Sequence, residues 1–238
     1  MEYMQQILSF VRKAVSDYDM IKEGDKIAVA LSGGKDSITM LLALNDFKKY
    51  FGIDFDLIAI SVNPGFDFFD TSFLEDLCKK NNIPCFIEDS HIKEIVFEER
   101  KEKNPCSLCA NLRRGILNTT AIREGCNKIA LGHNQDDVIE TFMMNTLYTG
   151  NINTFSPVSY MDRSGITLIR PLIYATEKDT RRFIRKNELK VMPKCCPMDG
   201  YSKREDMKTL IASIQKEIPK VKANLFGAIK RSHISGWK

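Results

Sequence analysis

The chain has 238 residues, 43% of them hydrophobic and 28% charged, which supplies a sizeable core and excludes a collagen-like, disordered or membrane-embedded class. No apolar run reaches the roughly 20 residues needed to span a bilayer, and the acidic, amphipathic N-terminus does not resemble a secretion signal, so the chain reads as cytoplasmic, with no membrane partner. The net charge of +4 hides an asymmetry: residues 1–169 hold 18 Lys/Arg against 24 Asp/Glu, whereas residues 170–238 hold 17 against 7. A basic C-terminal part on an acidic body reads either as a footprint for a polyanion or as a solvated, lysine-rich helical surface.

Met4, Ile7, Leu8, Val11 and Val15 recur at helical spacing and predict an opening amphipathic helix. "EGD" breaks it, and "KIAVAL" follows as a buried strand. A glycine loop then opens a second helix, "DSITMLLALNDFKKY". Next come the strand "FDLIAISV", the loop "NPGFDFFD", the helix "TSFLEDLCKKNN" and the strand "IPCFIED". A charged connector leads to a helix from about Leu108 to Glu124, the strand "KIALG" and a helix starting near Asp136. Beyond Gly150 a polar loop runs to about Arg163, "ITLIRPLI" reads as extended, and short basic helices close the chain. Strands alternating with helices predict an α/β fold, a parallel sheet covered by helices on both faces, with a basic, mostly helical C-terminal part. A soft boundary near residue 170 divides a nucleotide-binding part, 1–169, from the basic part, 170–238.

The loop "SGGKDS", Ser32 to Ser37, follows the first predicted strand, where ligands bind in open parallel sheets. Gly33 and Gly34 allow a tight turn that brings backbone N–H groups against phosphate oxygens. Lys35 adds charge, and Asp36 and Ser37 suit the first helical turn. It is not the common P-loop, whose first glycine would have to stand at Val29. A bare Gly-Gly would read as an ordinary strand-to-helix turn, but the full hexapeptide between a β-branched strand and an apolar helix reads as a phosphate site. The hexapeptide resembles the PP-loop of ATP pyrophosphatases, which implies ATP bound through Ser32, Gly33, Gly34, Lys35, Asp36 and Ser37 and release of pyrophosphate.

Seven cysteines, an odd number unevenly spread, argue against a disulfide framework and for metal or thiol chemistry. In "NPCSLCANLRRGIL", Cys106 and Cys109 form a C-x-x-C at a helix entry, a spacing that lets two thiolates meet one metal centre. Arg113 lies four residues beyond Cys109 and shares that face, while Leu108, Leu112, Ile116 and Leu117 fit a core-facing side. The pair alone is also compatible with a redox couple, or with half of a zinc site completed by two of His133, Cys195, Cys196 and His233. Cys78, Cys85 and Cys126 read as small buried apolar residues. "GHNQDD", Gly132 to Asp137, is a second loop between strand and helix. Asn134 suits a helix cap there, and His133 either orients phosphate or packs.

"PCSLCANLRRGIL", "KIALGHNQDDVIETFMMN", "MIKEGDKIAVALSGGKDS" and "IRPLIYATEKD" together resemble the tRNA 2-thiocytidine synthetase family of PP-loop ATP pyrophosphatases, and the resemblance covers most of the chain. It implies an ATP-dependent tRNA sulfurtransferase that adenylates O2 of a cytidine in the anticodon loop, cytidine 32, and replaces that oxygen with sulfur. It further implies a 4Fe–4S cluster held by Cys106, Cys109 and a cysteine of "PKCCPMDG". Cys196 best preserves the distance to "KRED", and Cys195 is the alternative. Lys35, Asp36, Arg113 and Asp137 would be catalytic, Gly132 and His133 would join the nucleotide site, and Mg²⁺ would accompany ATP. Arg114, Arg181, Arg182, Arg185 and Lys186 would grip tRNA. A sulfur donor such as a cysteine desulfurase is implied, and a homodimer stays open. "SVNPGFDFF" is shorter and less polar than the family's stretch, and "KCCPMDG" departs from its usual C-x-x-C-G. Two other readings are a tRNA lysidine synthetase, which needs lysine and no cluster, and a nucleotide-binding or redox-sensing module without turnover.

Overall fold

The computed structural model describes residues 2–67, 69–101, 105–193, 195–198, 200 and 202–238. The loop "NPGFDFFD", the charged connector and "PKCCPMDG" thus contain positions outside the described residues: Phe68, residues 102–104, and Lys194 with Asp199. Six strands form one sheet: β1 (Lys26–Ala30), β2 (Asp56–Asn63), β3 (Cys85–Asp89), β4 (Lys128–Ala130), β5 (Val158–Met161) and β6 (Ile166–Ile169). Their order is β3-β2-β1-β4-β6-β5, parallel throughout except for β5, which runs antiparallel to β6 at one edge. The sequence led us to expect a polar loop as far as Arg163. The edge strand was hidden because "VSYM" faces the core only partly and carries an exposed tyrosine.

The period of two along each strand divides the core. Ile27 and Val29 of β1 point into one cluster and Ala28 into the other; in β2, Leu57 and Ala59 oppose Ile58, Ile60 and Val62. The first face is covered by α1 (Met4–Tyr18), α2 (Lys35–Tyr50) and α6 (Glu177–Lys186), the second by α4 (Pro105–Arg123). Helix α2 is buried without a break from Ser37 to Leu44, because α1 and α6 pack on the side that the sheet leaves open. Each fully buried Leu or Ile there contributes about 1.5–3 kcal/mol. Helices α3 (Ser72–Lys80), α5 (Gln135–Thr149), α7 (Lys203–Glu217) and α8 (Val221–Arg231) complete the fold, with one π-helical turn, Glu94–Glu99, inside the charged connector.

The basic part shares the first core: Phe183, Ile211, Phe226, Ile229 and Trp237 belong to the same cluster as α1 and α2. Trp237 is 1% exposed, stacks edge-on against Tyr18 and Phe226, and donates its indole N–H to the Phe155 carbonyl. At the opposite edge of the sheet from the glycine loop, Lys128 and Asp25 form a buried pair, Nζ to Oδ2 2.5 Å. Asp25 also accepts from the Lys22 N–H and the Asn127 amide, so its desolvation is offset by three donors. Among the described residues no helix is long and apolar enough to cross a membrane.

Candidate active site

The loop after β1 and the loop after β4 meet at the carboxyl edge of the sheet, because β1 and β4 are neighbours. Gly132 packs directly on the start of α2: a Cβ there would lie 3.2 Å from the Asp36 carbonyl carbon and the Ser37 nitrogen. Gly33 has φ +79°, and a Cβ on it would come within 2.9 Å of the Met192 Cβ. The Met192 N–H donates to the Gly33 carbonyl at 2.8 Å, so the segment leading to Cys195 and Cys196 lies directly on the glycine loop. The loop's interior is braced by the Ser32 and Ser37 hydroxyls, 3.1 Å apart, and by Ser37 donating to the Gly34 carbonyl at 2.9 Å. Gly34 is the N-cap of α2 and no side chain caps that helix, so the N-terminal N–H groups of α2 face this loop.

Lys35 reaches Asp36 at 2.8 Å and Glu177 at 3.1 Å. Burial pushes its ammonium down, but the two carboxylates outweigh burial and hold it above the usual lysine range. Asp36 in turn accepts from the Thr180 hydroxyl at 2.6 Å and from the Asn134 amide at 3.2 Å. Asn134 caps α5 through a reciprocal box. Its Oδ1 accepts the N–H groups of Asp136 and Asp137, and its own N–H donates to Asp137 Oδ2 at 3.0 Å. The capping expected of Asn134 is therefore observed, and Asn134 also ties the two loops together. Asp136 is 7% exposed and serves as a joint, accepting from the Glu177 N–H at 2.7 Å and pairing with Lys222 at 2.6 Å.

Two cavities open beside these loops. One, of about 420 Å³, is lined by Ser32 and Gly34 of the loop, by Cys106, Cys109 and Arg113 of α4, and by Cys195 and Cys196. Helix α4 starts at Pro105, three residues earlier than its apolar period suggested. Proline suits the first helical position, and this start puts Cys106 in the first turn and Cys109 at the beginning of the second, near the positive end of the helix. As helical spacing predicts, Arg113 shares their face, while Leu108, Leu112, Ile116 and Leu117 pack in the second core. Burial pushes the Cys109 thiol up. Arg113 opposes this, and the neighbouring Cys196 and Cys106 add to it. The Cys195 thiol instead donates to the Pro193 carbonyl at 3.1 Å. Among the described residues no three His, Cys, Asp or Glu side chains are gathered tightly enough to hold a single metal ion.

The second cavity, of about 320 Å³, shares Ser32, Ala110 and Arg113 with the first and is mostly apolar, with Leu31, Val62 and Leu131 among its walls. Arg114 and His133 also line it. His133 packs on Phe155, ring centroids 4.7 Å apart, and burial together with Arg170 and Arg204 lowers its pKa to about 3, so it is neutral. Its Nδ1 is buried without a hydrogen-bond partner among the described residues. Of the zinc donors considered from sequence, Cys195 and Cys196 line the cavity of the C-x-x-C, whereas His133 lines the second cavity and His233 lies beyond the end of α8. Cys78 and Cys126 are buried, as expected. Cys85 departs from that expectation: it opens edge strand β3 and is only partly buried.

The basic residues singled out on α6 mostly meet their own chain. Arg182 stacks on the Tyr3 ring at 3.9 Å and bonds its hydroxyl, Lys186 lies 3.8 Å from Glu2, and Arg181 pairs with Glu177 at 3.1 Å; Arg185 is exposed. Sequence reasoning missed Glu177, Thr180, Arg204 and Glu140. Arg204 of α7 contacts Asp137 at 2.9 Å, Glu140 at 3.4 Å and the Thr141 hydroxyl at 3.2 Å. Glu140 is 3% exposed, and burial, together with Asp137 and Asp136, raises its pKa to about 7 against the pull of Lys208 and Arg204. Thr176 and Asp179 form a capping box at the start of α6, a local signal that the sequence reading did not use, and no local pattern announces which side chain Arg204 will meet 67 residues away.

A PP-loop domain model matches residues 2–193. The chain is 36% identical to the tRNA-cytidine(32) 2-sulfurtransferase of Citrifermentans bemidjiense, covering 96% of this chain and 91% of that one. It is 38% identical to the protein of the same name in Pelobacter propionicus, covering 94% and 84%. Among solved structures it is similar to the U34-tRNA thiolase NcsA from Methanococcus maripaludis with its 4Fe–4S cluster: TM-score 0.76, 29% identity, 96% of this chain and 78% of that one. The chain therefore belongs to the PP-loop family and, within it, to the tRNA 2-thiocytidine synthetase family.

Proposed function

We propose that the protein is an ATP-dependent tRNA sulfurtransferase that converts cytidine 32 of the anticodon loop to 2-thiocytidine, with release of AMP and pyrophosphate. The observation that carries this reading is the shared wall of the two cavities. Ser32 and Arg113 line both, so the phosphate loop, a cysteine pocket and an apolar pocket fit for a planar base are contiguous. The names of the relatives and of the similar thiolase support the substrate class.

In the first step O2 of the cytidine attacks the α-phosphorus of ATP, and the bond from that phosphorus to the pyrophosphate oxygen breaks. Lys35 and the first N–H groups of α2 would meet the charge on the leaving pyrophosphate, and Asp36 and Asp137 would hold the Mg²⁺ that helps to neutralise it. In the second step a sulfide attacks C2, and the C2–O bond breaks so that AMP leaves with the oxygen. Arg113, between the two cavities, suits the charge that develops on that oxygen. The donor set fits a 4Fe–4S cluster: Cys106, Cys109 and Cys196 line one cavity, and the first and last lie near enough to raise the Cys109 thiol. Bound there, the cluster would supply the chemistry of sulfur delivery next to the apolar pocket, across the wall that Ser32 and Arg113 share. Arg113 keeps a cation beside the thiolates, and neutral His133 adds no charge to the pocket wall. Arg114, exposed Arg185 and Arg181 suit phosphate contacts with tRNA; Arg182 and Lys186 would first have to leave Tyr3 and Glu2.

The test is turnover of an unmodified tRNA with ATP and sulfide in the absence of oxygen, followed by nucleoside mass analysis. The reading predicts 2-thiocytidine and AMP in equal amounts, and neither with a tRNA carrying uridine at position 32. A lysine-dependent product with no sulfur incorporated would overturn it in favour of a lysidine synthetase.

A further inference from the structure

Asp137 has no free oxygen. Its Oδ2 accepts the Asn134 N–H at 3.0 Å in the α5 cap, and its Oδ1 lies 2.9 Å from the Arg204 guanidinium. Arg204 lies between two acids one helical turn apart, with Glu140 at 3.4 Å as its second carboxylate and the Thr141 hydroxyl at 3.2 Å on its other nitrogen. It thus has a second carboxylate beside it if Asp137 takes another partner. The Arg204 side chain is 37% exposed, within reach of a polyanion, whereas the Glu140 side chain is 5% exposed and is not. Lys208, one turn further along α7, lies 3.9 Å from Glu177, the same carboxylate that holds Lys35. Helix α7 therefore contributes two cations to the mouth of the phosphate loop, each tied to a carboxylate there. Its N-cap, Ser202, follows Cys196 by six residues.

We propose that Arg204 is a positioning residue that withholds Asp137 from a divalent ion until a phosphodiester of the RNA substrate draws the guanidinium away. This rests on the reading of Asp137 as a ligand of the nucleotide-bound ion. The physical basis is competition: guanidinium and divalent cation both want Asp137 Oδ1, and phosphate and carboxylate both want Arg204. The consequence is coupling, with ion binding at the phosphate loop and RNA binding on α7 each strengthening the other by the same factor. ATP would then be committed to cleavage only when RNA is in place.

The experiment is Mn²⁺ binding followed by electron paramagnetic resonance, with a non-hydrolysable ATP analogue and with or without tRNA. It uses the whole chain and its Arg204→Met, Arg204→Lys and Asp137→Asn variants. The wild type is expected to bind Mn²⁺ about tenfold more tightly when tRNA is added, a common size for such coupling. Arg204→Met should bind Mn²⁺ as tightly without tRNA as the wild type does with it. Arg204→Lys, which keeps a charge but not the forked contact with Glu140 and Thr141, should fall between, and it carries the test if the methionine variant melts early. An Arg204 variant with wild-type affinity and an undiminished tRNA effect would overturn the proposal. If Asp137→Asn binds Mn²⁺ like the wild type, Asp137 is no ligand, and the failure lies in the reading beneath.

Discussion

Replacing Glu140 with glutamine is expected to make the protein more stable at alkaline pH and to leave it nearly unchanged at pH 5. Glu140 is 3% exposed, and burial, aggravated by Asp137 and Asp136, holds its pKa at about 7 against an ordinary 4.5. A carboxyl that binds its proton more tightly when folded contributes stability below pH 4.5 and loses it as pH rises through about 7. At about 1.4 kcal/mol per pH unit, the loss between pH 5 and 8.5 comes to about 2–3 kcal/mol. Glutamine keeps an oxygen for Arg204 and carries no charge to desolvate, so it should escape most of that loss. Urea unfolding of wild type and Glu140→Gln across this pH range measures the difference directly. The stability difference should grow by about 2–3 kcal/mol towards pH 8.5. A difference independent of pH would refute the argument, because Glu140 would then be ionised in the folded protein throughout.

Gly33→Ala should destabilise the protein by about 1–2 kcal/mol from the left-handed φ, plus whatever moving Met192 costs, and should weaken nucleotide binding; a variant with unchanged melting and affinity would contradict the packing of the 189–193 segment on the loop. Binding of tRNA should weaken steeply with added salt. Substituting both Arg181 and Arg185 by alanine should reduce the log–log slope by about 0.9 for each phosphate that is no longer neutralised, and an unchanged slope would remove α6 from the RNA surface.

The parallel sheet, the two loops and the C-x-x-C face were legible because each has a local cause. Apolar runs of β-branched residues mark β1 and β2, glycines mark the turn into α2, and i to i+4 spacing fixes where Arg113 sits relative to Cys109. The antiparallel edge strand was not legible, since Val158 to Met161 derive their strand state from pairing with β6 rather than from their own pattern. The partners of Asp137, Lys35 and Asp36 were hidden for a different reason. Arg204, Glu177 and Thr180 reach them only after α6 and α7 fold back over the loops, and pairings at such separations leave no mark in local sequence. The same folding back gave the expected RNA-binding residues Arg182 and Lys186 partners within the chain that charge counting alone did not foresee.

The most direct test of the claim that one cysteine pocket serves the phosphate loop is the iron and acid-labile sulfide content of protein purified without oxygen. Wild type would be compared with Cys106→Ala, Cys109→Ala, Cys195→Ala and Cys196→Ala. About four irons and four sulfides per chain are expected in the wild type and in Cys195→Ala, with loss in the other three. Colourless protein with no iron after anaerobic reconstitution, or full iron in Cys196→Ala, would contradict the account.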